Sequence, residues 1–175
     1  GATVTLSSGF TSGDTLGFST QNGISGSYNS STGVLTLSGS ATVAQYQTAL
    51  RTVTYSSSSE DPTSGSASRT VSWQVTDANS DGDGAQNSSA VTSTINLTAS
   101  NDTPVATAGA TLAYSENGSA AAIDNTIALS DSDDTQITAA TVTLSSGFTN
   151  GDTLGFTTQN GISGSYNSST GVLTL

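Results

Sequence analysis

One stretch of this chain is written twice. ATVTLSSGFTSGDTLGFSTQNGISGSYNSSTGVLTL runs from Ala2 to Leu37 and returns from Ala140 to Leu175, with only Ser12 becoming Asn150 and Ser19 becoming Thr157. The spacing of 138 residues is the size of an ordinary domain, and self-similarity at domain length means a string of like modules. The 175 residues hold one full period and the opening of the next. Because they begin and end inside the repeated stretch, a piece of a longer protein is expected. Two copies this alike do not say which positions matter.

Within the period the pattern is that of strands. Ala2, Val4 and Leu6 alternate with Thr3, Thr5 and Ser7, placing the apolar set on one sheet face. Leu16 and Phe18 resume the alternation, Asn22-Gly23 suits a type I′ turn, and Ile24 and Tyr28 continue beyond it, so a hairpin is expected. Thr32-Gly33 then turns the chain into a short strand, Val34 to Leu37. The period changes once. Val43, Tyr46 and Leu50 have helical spacing, and Thr42 with Gln45 has that of a capping box, predicting a short helix over 43–50.

Further strands are expected over Thr52 to Ser56, Arg69 to Asp77 and Ala90 to Ala99, with Ser57 to Ser68 a surface excursion and Trp73 a core centre. Pro104, which has no N–H, marks the module boundary, and Thr111 to Ser115 and a segment from Ile127 read as strands after it. The expected class is all-β, an antiparallel β-sandwich with one short helix per repeat. The expected modules are 1–103 and 104–175; the spacing leaves open whether 104–139 completes the first or begins the second.

Thirteen carboxylates face two arginines, Arg51 and Arg69, without lysine or histidine, for a net charge of −11. Almost nothing can neutralise phosphates, which excludes nucleic acid as a partner and argues against an anionic membrane surface. No apolar run is long enough to span a bilayer. Cysteine is absent, so neither disulfides nor thiolate metal sites can form, and without lysine no Lys–Asn isopeptide staple can either. Bound cations are the remaining common reinforcement. The Ser, Thr, Gly and Asn-rich, weakly charged composition points to an extracellular, exported bacterial repeat protein.

Two acidic stretches stand out. Asp77-Ala78-Asn79-Ser80-Asp81-Gly82 matches D-x-[DN]-x-[DN]-G, the opening of a calcium loop, with Asp83 beside it. Ser88 stands where an EF-hand needs glutamate, so this is no EF-hand, and a plain turn is the competing reading. Asp131, Asp133 and Asp134 form the second cluster, three acids without a base nearby, splayed into water or shared around a cation. Asp14 and its copy Asp152 read as lone acids in glycine-bounded loops, and Glu60-Asp61-Pro62 as a turn.

These residues carry a resemblance. Val75-Thr76-Asp77, Asn101-Asp102-Thr103-Pro104, Tyr114-Ser115-Glu116-Asn117 and Asp131-Ser132-Asp133 follow the order and approximate spacing of cadherin motifs. ATVAQYQTALRTVTYSSSSEDPTSG and SGSYNSSTGVLTL are similar to the cadherin-like tandem repeats of giant repeats-in-toxin-type (RTX) bacterial adhesins. The resemblance implies Ig/cadherin-like modules strung end to end, with Ca2+ stiffening the junctions. Its implied ligands are Asn101 and Asp102 from the linker, Glu116, Asp131 and Asp133 from the following module, and Asp77 from the preceding one. Two departures stand: Ala99 replaces a linker acid, and the proline lies two residues after Asp102 instead of three.

The expected function is therefore non-catalytic: a calcium-binding spacer of a long surface adhesin or biofilm filament, whose partners are neighbouring repeats or identical subunits. A self-assembling fibre subunit exchanging strands with its neighbours is the alternative. A module binding cell-surface glycans or proteins is another, although Tyr28, Tyr46, Tyr55 and Tyr114 occupy periodic apolar positions that core packing explains. Without His, Cys or Lys the usual acyl-transfer triads cannot be assembled, leaving only a two-carboxylate glycosidase conceivable for an enzyme.

Overall fold

The computed structural model describes all residues, Gly1–Leu175, and divides them into two compact units, Gly1–Asn101 and Asp102–Leu175. The fold is all-β and antiparallel, sandwich-type, with one short helix, as the alternation requires.

In the first unit, β1 (Ala2–Ser8), β2 (Asp14–Gly17), β3 (Ser25–Asn29) and β4 (Val34–Ser38) come from the repeated stretch. Helix α1 (Val43–Leu50), β5 (Thr54–Ser57), β6 (Ser68–Val75) and β7 (Val91–Asn96) follow. One sheet has the order β3-β4-β1-β6-β7, and the other is the pair β2-β5. The inward set of β1, Ala2, Val4 and Leu6, meets Leu16, Ile24, Leu35, Leu37, Ala49 and Val71 in one buried cluster. Each such Val, Leu or Ile side chain is worth roughly 1.5–3 kcal/mol when fully buried. The repeated stretch supplies most of this core.

Local signals act where the residues allow them. Thr42 Oγ1 accepts from the Gln45 N–H at 3.2 Å, and Gln45 Oε1 accepts from the Thr42 N–H at 2.9 Å, closing the capping box ahead of α1. Asn22 and Gly23 both have positive φ, 51° and 75°, as a type I′ turn demands. Gln21 and Ile24 close the turn with one antiparallel bridge, their N–H groups donating to each other's carbonyls at 3.0 and 2.7 Å, but the expected hairpin extends no further. β2 pairs with β5 and β3 with β4, so this turn is a corner between sheets. The Thr32-Gly33 turn does join a hairpin, β3 to β4; Gly33 has φ 68°, and a side chain there would press on Phe10 and Leu6.

In the second unit, β8 (Val105–Thr107) pairs with β9 (Ala128–Ser130). Strands β10 (Thr141–Thr143), β11 (Ser165–Asn167) and β12 (Val172–Thr174) form a sheet in the order β10-β12-β11, the order of β1-β4-β3. The strand expected over Thr111 to Ser115 is absent, because no neighbouring ladder takes up its backbone groups. Tyr114, expected in a core, is exposed.

Candidate functional site

Loop 77–86 is closed at its neck by backbone bonds between Asp77 and Gln86 and between Ser88 and Val75, with Thr76 Oγ1 2.6 Å from Asn87 Oδ1. Asp77 Oδ1 accepts from the N–H groups of Asn79 and Gln86, at 3.2 and 2.9 Å. Asn79, at φ 51°, accepts through Oδ1 from the Gly84 N–H at 2.6 Å. The side-chain oxygens of Asp77 and Asn79 thus hold the loop's own backbone, as Asx turns do. Asp81 and Asp83 lie exposed, and the carboxylates of Asp77, Asp81 and Asp83 do not converge.

The second cluster does converge. One carboxylate oxygen from each of Asp131, Asp133 and Asp134 lies within 4.8 Å of the others. The run follows β9, and its chain folds back on itself. Asp131 Oδ1 accepts from the N–H groups of Asp133 and Asp134, both at 3.3 Å, and Asp133 Oδ2 accepts from the Asp102 N–H at 3.1 Å. Asp102, the first residue of the second unit, is thereby tied to the cluster; Asn101, the other residue expected in the linker, ends the first unit. Glu116, in a turn closed by the Gly118 N–H on the Ser115 carbonyl, is not a member of the convergent group. A hollow of about 190 Å3 borders Asp131 and Asp134.

The crowding shows in the acids' titration. Asp131 is lowered, chiefly by a hydrogen bond shared with Asp133. At Asp133 the Asp102 N–H pulls downward, but the shared bond, burial and the Asp131 charge raise it overall. Asp133 Oδ1 is buried and without a hydrogen-bond partner. An unpartnered carboxylate oxygen is costly and calls for a counter-charge. The donor set fits a hard cation: all ligands are oxygens, and oxygens on opposite sides of one Ca2+ lie about 5 Å apart.

Other charged sites organise the fold. Asp14, expected to be a lone turn acid, is buried and paired with Arg69, whose Nε lies 2.6 Å from Oδ2. Tyr55 donates to Asp14 Oδ1 at 2.6 Å and the Thr11 N–H to Oδ2 at 2.9 Å. Burial pushes this carboxyl up, but hydrogen bonds from Arg69, Tyr55, Thr11 and Ser57 outweigh it and hold it at about 2. Arg69 also donates to the carbonyls of Pro62 and Ser66, at 2.8 and 2.9 Å, which pins the expected excursion 57–68 to the core. The sequence signal was available: Arg69 shares strand parity with Val71, Trp73 and Val75, so the inward face of β6 begins with a charge needing a buried acid.

Asp124 drew no attention in the sequence. It accepts from the N–H groups of Gly109, Ala110 and Thr126 and from the Thr126 hydroxyl, which together hold its carboxyl far below the usual range. It fastens segment 109–126. All five tyrosine hydroxyls bind within the chain: Tyr28, Tyr46, Tyr114 and Tyr166 on carbonyls, Tyr55 on Asp14. Trp73, expected at the core centre, is half-buried at the rim of a groove and donates to Ser93 Oγ at 3.0 Å. Beyond Val71 the cover of β6 runs out, leaving Val75 exposed.

No family model matches the chain, and no solved structure matches it. It is similar to Halomucin of Haloquadratum walsbyi, 43% identical over 110 residues, covering 59% of this chain and 1% of that protein. The chain thus corresponds to about a hundredth of the length of this relative. No helix is long and apolar enough to cross a membrane.

Proposed function

We propose that this chain is a non-catalytic, calcium-binding structural repeat, a spacer in a long extracellular surface protein of the cadherin-like, RTX-adhesin kind. The carrying observation is the convergence of Asp131, Asp133 and Asp134, with Asp133 Oδ1 buried and unpartnered. Arg69 is already committed to Asp14, so it is not a counter-charge for this cluster. A divalent cation held by the three carboxylates would supply positive charge and fasten linker residue Asp102, whose N–H binds Asp133, to the following module. Such fastening lowers the freedom of a junction that would otherwise let a string of modules coil.

Likeness to a small part of a far longer protein supports the string, and the acidic, cysteine-free composition supports an extracellular setting. The test is chelation of the full chain. Removing calcium is expected to lower the melting temperature and, in a tandem of two periods, to shorten the maximum dimension in small-angle scattering. Unchanged melting and scattering would contradict the reading.

A further inference from the structure

Four asparagines of this chain are followed by glycine: Asn22, Asn117, Asn150 and Asn160. An Asn-Gly pair can react with itself. The glycine backbone nitrogen, losing its proton, attacks the side-chain Cγ; the side-chain nitrogen leaves as ammonia and a five-membered succinimide ring closes. Water then opens the ring at either carbonyl, giving aspartate or isoaspartate. The overall change is asparagine plus water to acid plus ammonia, with no oxidant or reductant. The fold decides which of the four pairs can reach the ring.

Ring closure asks two things of the backbone. The glycine nitrogen must swing to the Cβ side of its asparagine, and its N–H must be free to give up a proton. The central peptide of a type I′ turn meets the first by turning over into type II′: the asparagine keeps its positive φ, its ψ moves to about −120°, and the glycine takes a φ of about −80°. Asn22 and Asn160 are placed for this. They lie at φ 51° and 52°, followed by Gly23 and Gly161 at 75° and 79°. The flanks of each turn are clamped, Gln21 to Ile24 at 3.0 and 2.7 Å and Gln159 to Ile162 at 3.1 and 2.8 Å. The central peptides are not. Neither the Asn22 carbonyl nor the Gly23 N–H binds within the chain, nor do those of Asn160 and Gly161, so turning over breaks no hydrogen bond. Both pairs are exposed, and a side chain at either glycine would meet nothing within 4 Å, which leaves room for water.

The other pairs each lack one requirement. Asn117 is left-handed, at φ 60°, but the Gly118 N–H donates to the Ser115 carbonyl at 2.9 Å. Turning that peptide over costs the bond. At Asn150 the Gly151 N–H is unbonded, yet Asn150 is not left-handed, and the turn closed by the Asp152 N–H on the Thr149 carbonyl at 3.1 Å would have to be rebuilt. Asn79 is left-handed as well, but serine follows it and its Oδ1 holds the Gly84 N–H.

We propose that Asn22 and Asn160 are modification sites, where the folded chain converts itself through a succinimide to aspartate and isoaspartate. The proposal is independent of calcium. Each conversion adds a carboxylate to an already acidic chain, and isoaspartate lengthens the backbone by one methylene inside a clamped turn. At Asn22 that turn joins the two sheets of the first unit. The site recurs once per period, so the converted fraction marks the age of the protein.

The test incubates the full chain at mildly alkaline pH, folded and separately in urea, and follows all four sites by peptide mapping with fragment sequencing, with isoaspartate detected by enzymatic methylation. In the folded chain Asn22 and Asn160 are expected to convert at least about fivefold faster than Asn117, which must break a hydrogen bond, and than Asn150, which must enter the left-handed region. Isoaspartate accompanies aspartate at both, and in urea the four rates converge. A rate at Asn22 or Asn160 no faster than at Asn117 or Asn150 in the folded chain, or aspartate formed without isoaspartate, overturns the proposal.

Discussion

The two copies of the repeated stretch are a natural control, almost the same sequence in two surroundings. Locally they agree closely. The Thr11 N–H meets Asp14 Oδ2 at 2.9 Å and the Thr149 N–H meets Asp152 Oδ2 at 2.9 Å; Tyr28 and Tyr166 reach the carbonyls of Asp14 and Asp152 at 2.8 and 2.7 Å. Gly33 and Gly171 both have φ 68°. Burial divides them: Val4 and Ile24 are fully buried, whereas Val142 and Ile162 are 38 and 47% exposed. Asp14 has Arg69 and Tyr55, and Asp152 has neither. Turn geometry and short-range bonds travel with the sequence; at the first copy, burial and ion pairing come from α1, β5 and β6.

This contrast can be broken at the ion pair. Arg69→Met leaves a buried, unpaired carboxylate at Asp14 and is expected to cost about 3–5 kcal/mol in denaturant unfolding of the first unit. A loss below about 1 kcal/mol, the level of an exposed pair, would show the pair to be as incidental as Asp152's surroundings.

Acid gives the next largest effect. The folded carboxyl of Asp14 sits at about 2 against an ordinary 3.8, so its contribution is complete above the ordinary value and is lost as pH falls through about 2. The difference is worth about 2 kcal/mol at neutral pH. Urea midpoints of wild type should fall over this window more steeply than those of Asp14→Asn, and parallel curves would remove the ion pair from the account.

Gly33→Ala and Gly171→Ala sharpen the local half of the comparison. Both force a side chain into the left-handed region, at about 1–2 kcal/mol, and unfolding of either unit should register a cost of that order. Strongly unequal costs would mean that the turn, too, depends on its surroundings. Asp152→Asn comes last, within about 0.5 kcal/mol as for an exposed position.

The same division explains what could be read without coordinates. Helix 43–50 with its Thr42–Gln45 box and the Asn22-Gly23 turn are encoded within a few residues, and the structure has both. That the turn joins two sheets depends on β5, some thirty residues away, and no local signal carries that. The Asp14–Arg69 pair spans 55 residues: strand parity sets Arg69 on the inward face, but no local signal names Asp14 as its partner. Alternation at Leu112 and Tyr114 suggested a strand that needs a partner edge before it can form. At the candidate site, the grouping of Asp131, Asp133 and Asp134 was legible from adjacency. The tie from Asp102 to Asp133 and the buried Asp133 Oδ1 required the fold.

Calorimetric titration of Ca2+ into the full chain, beside an Asp131→Asn, Asp133→Asn double variant, tests the central claim most directly. The account predicts saturable binding to the wild type, weakened at least about tenfold in the variant, with a melting temperature that rises with calcium only where binding persists. Absence of binding heat together with a calcium-independent melting temperature at millimolar Ca2+, or equal binding by wild type and variant, would contradict it.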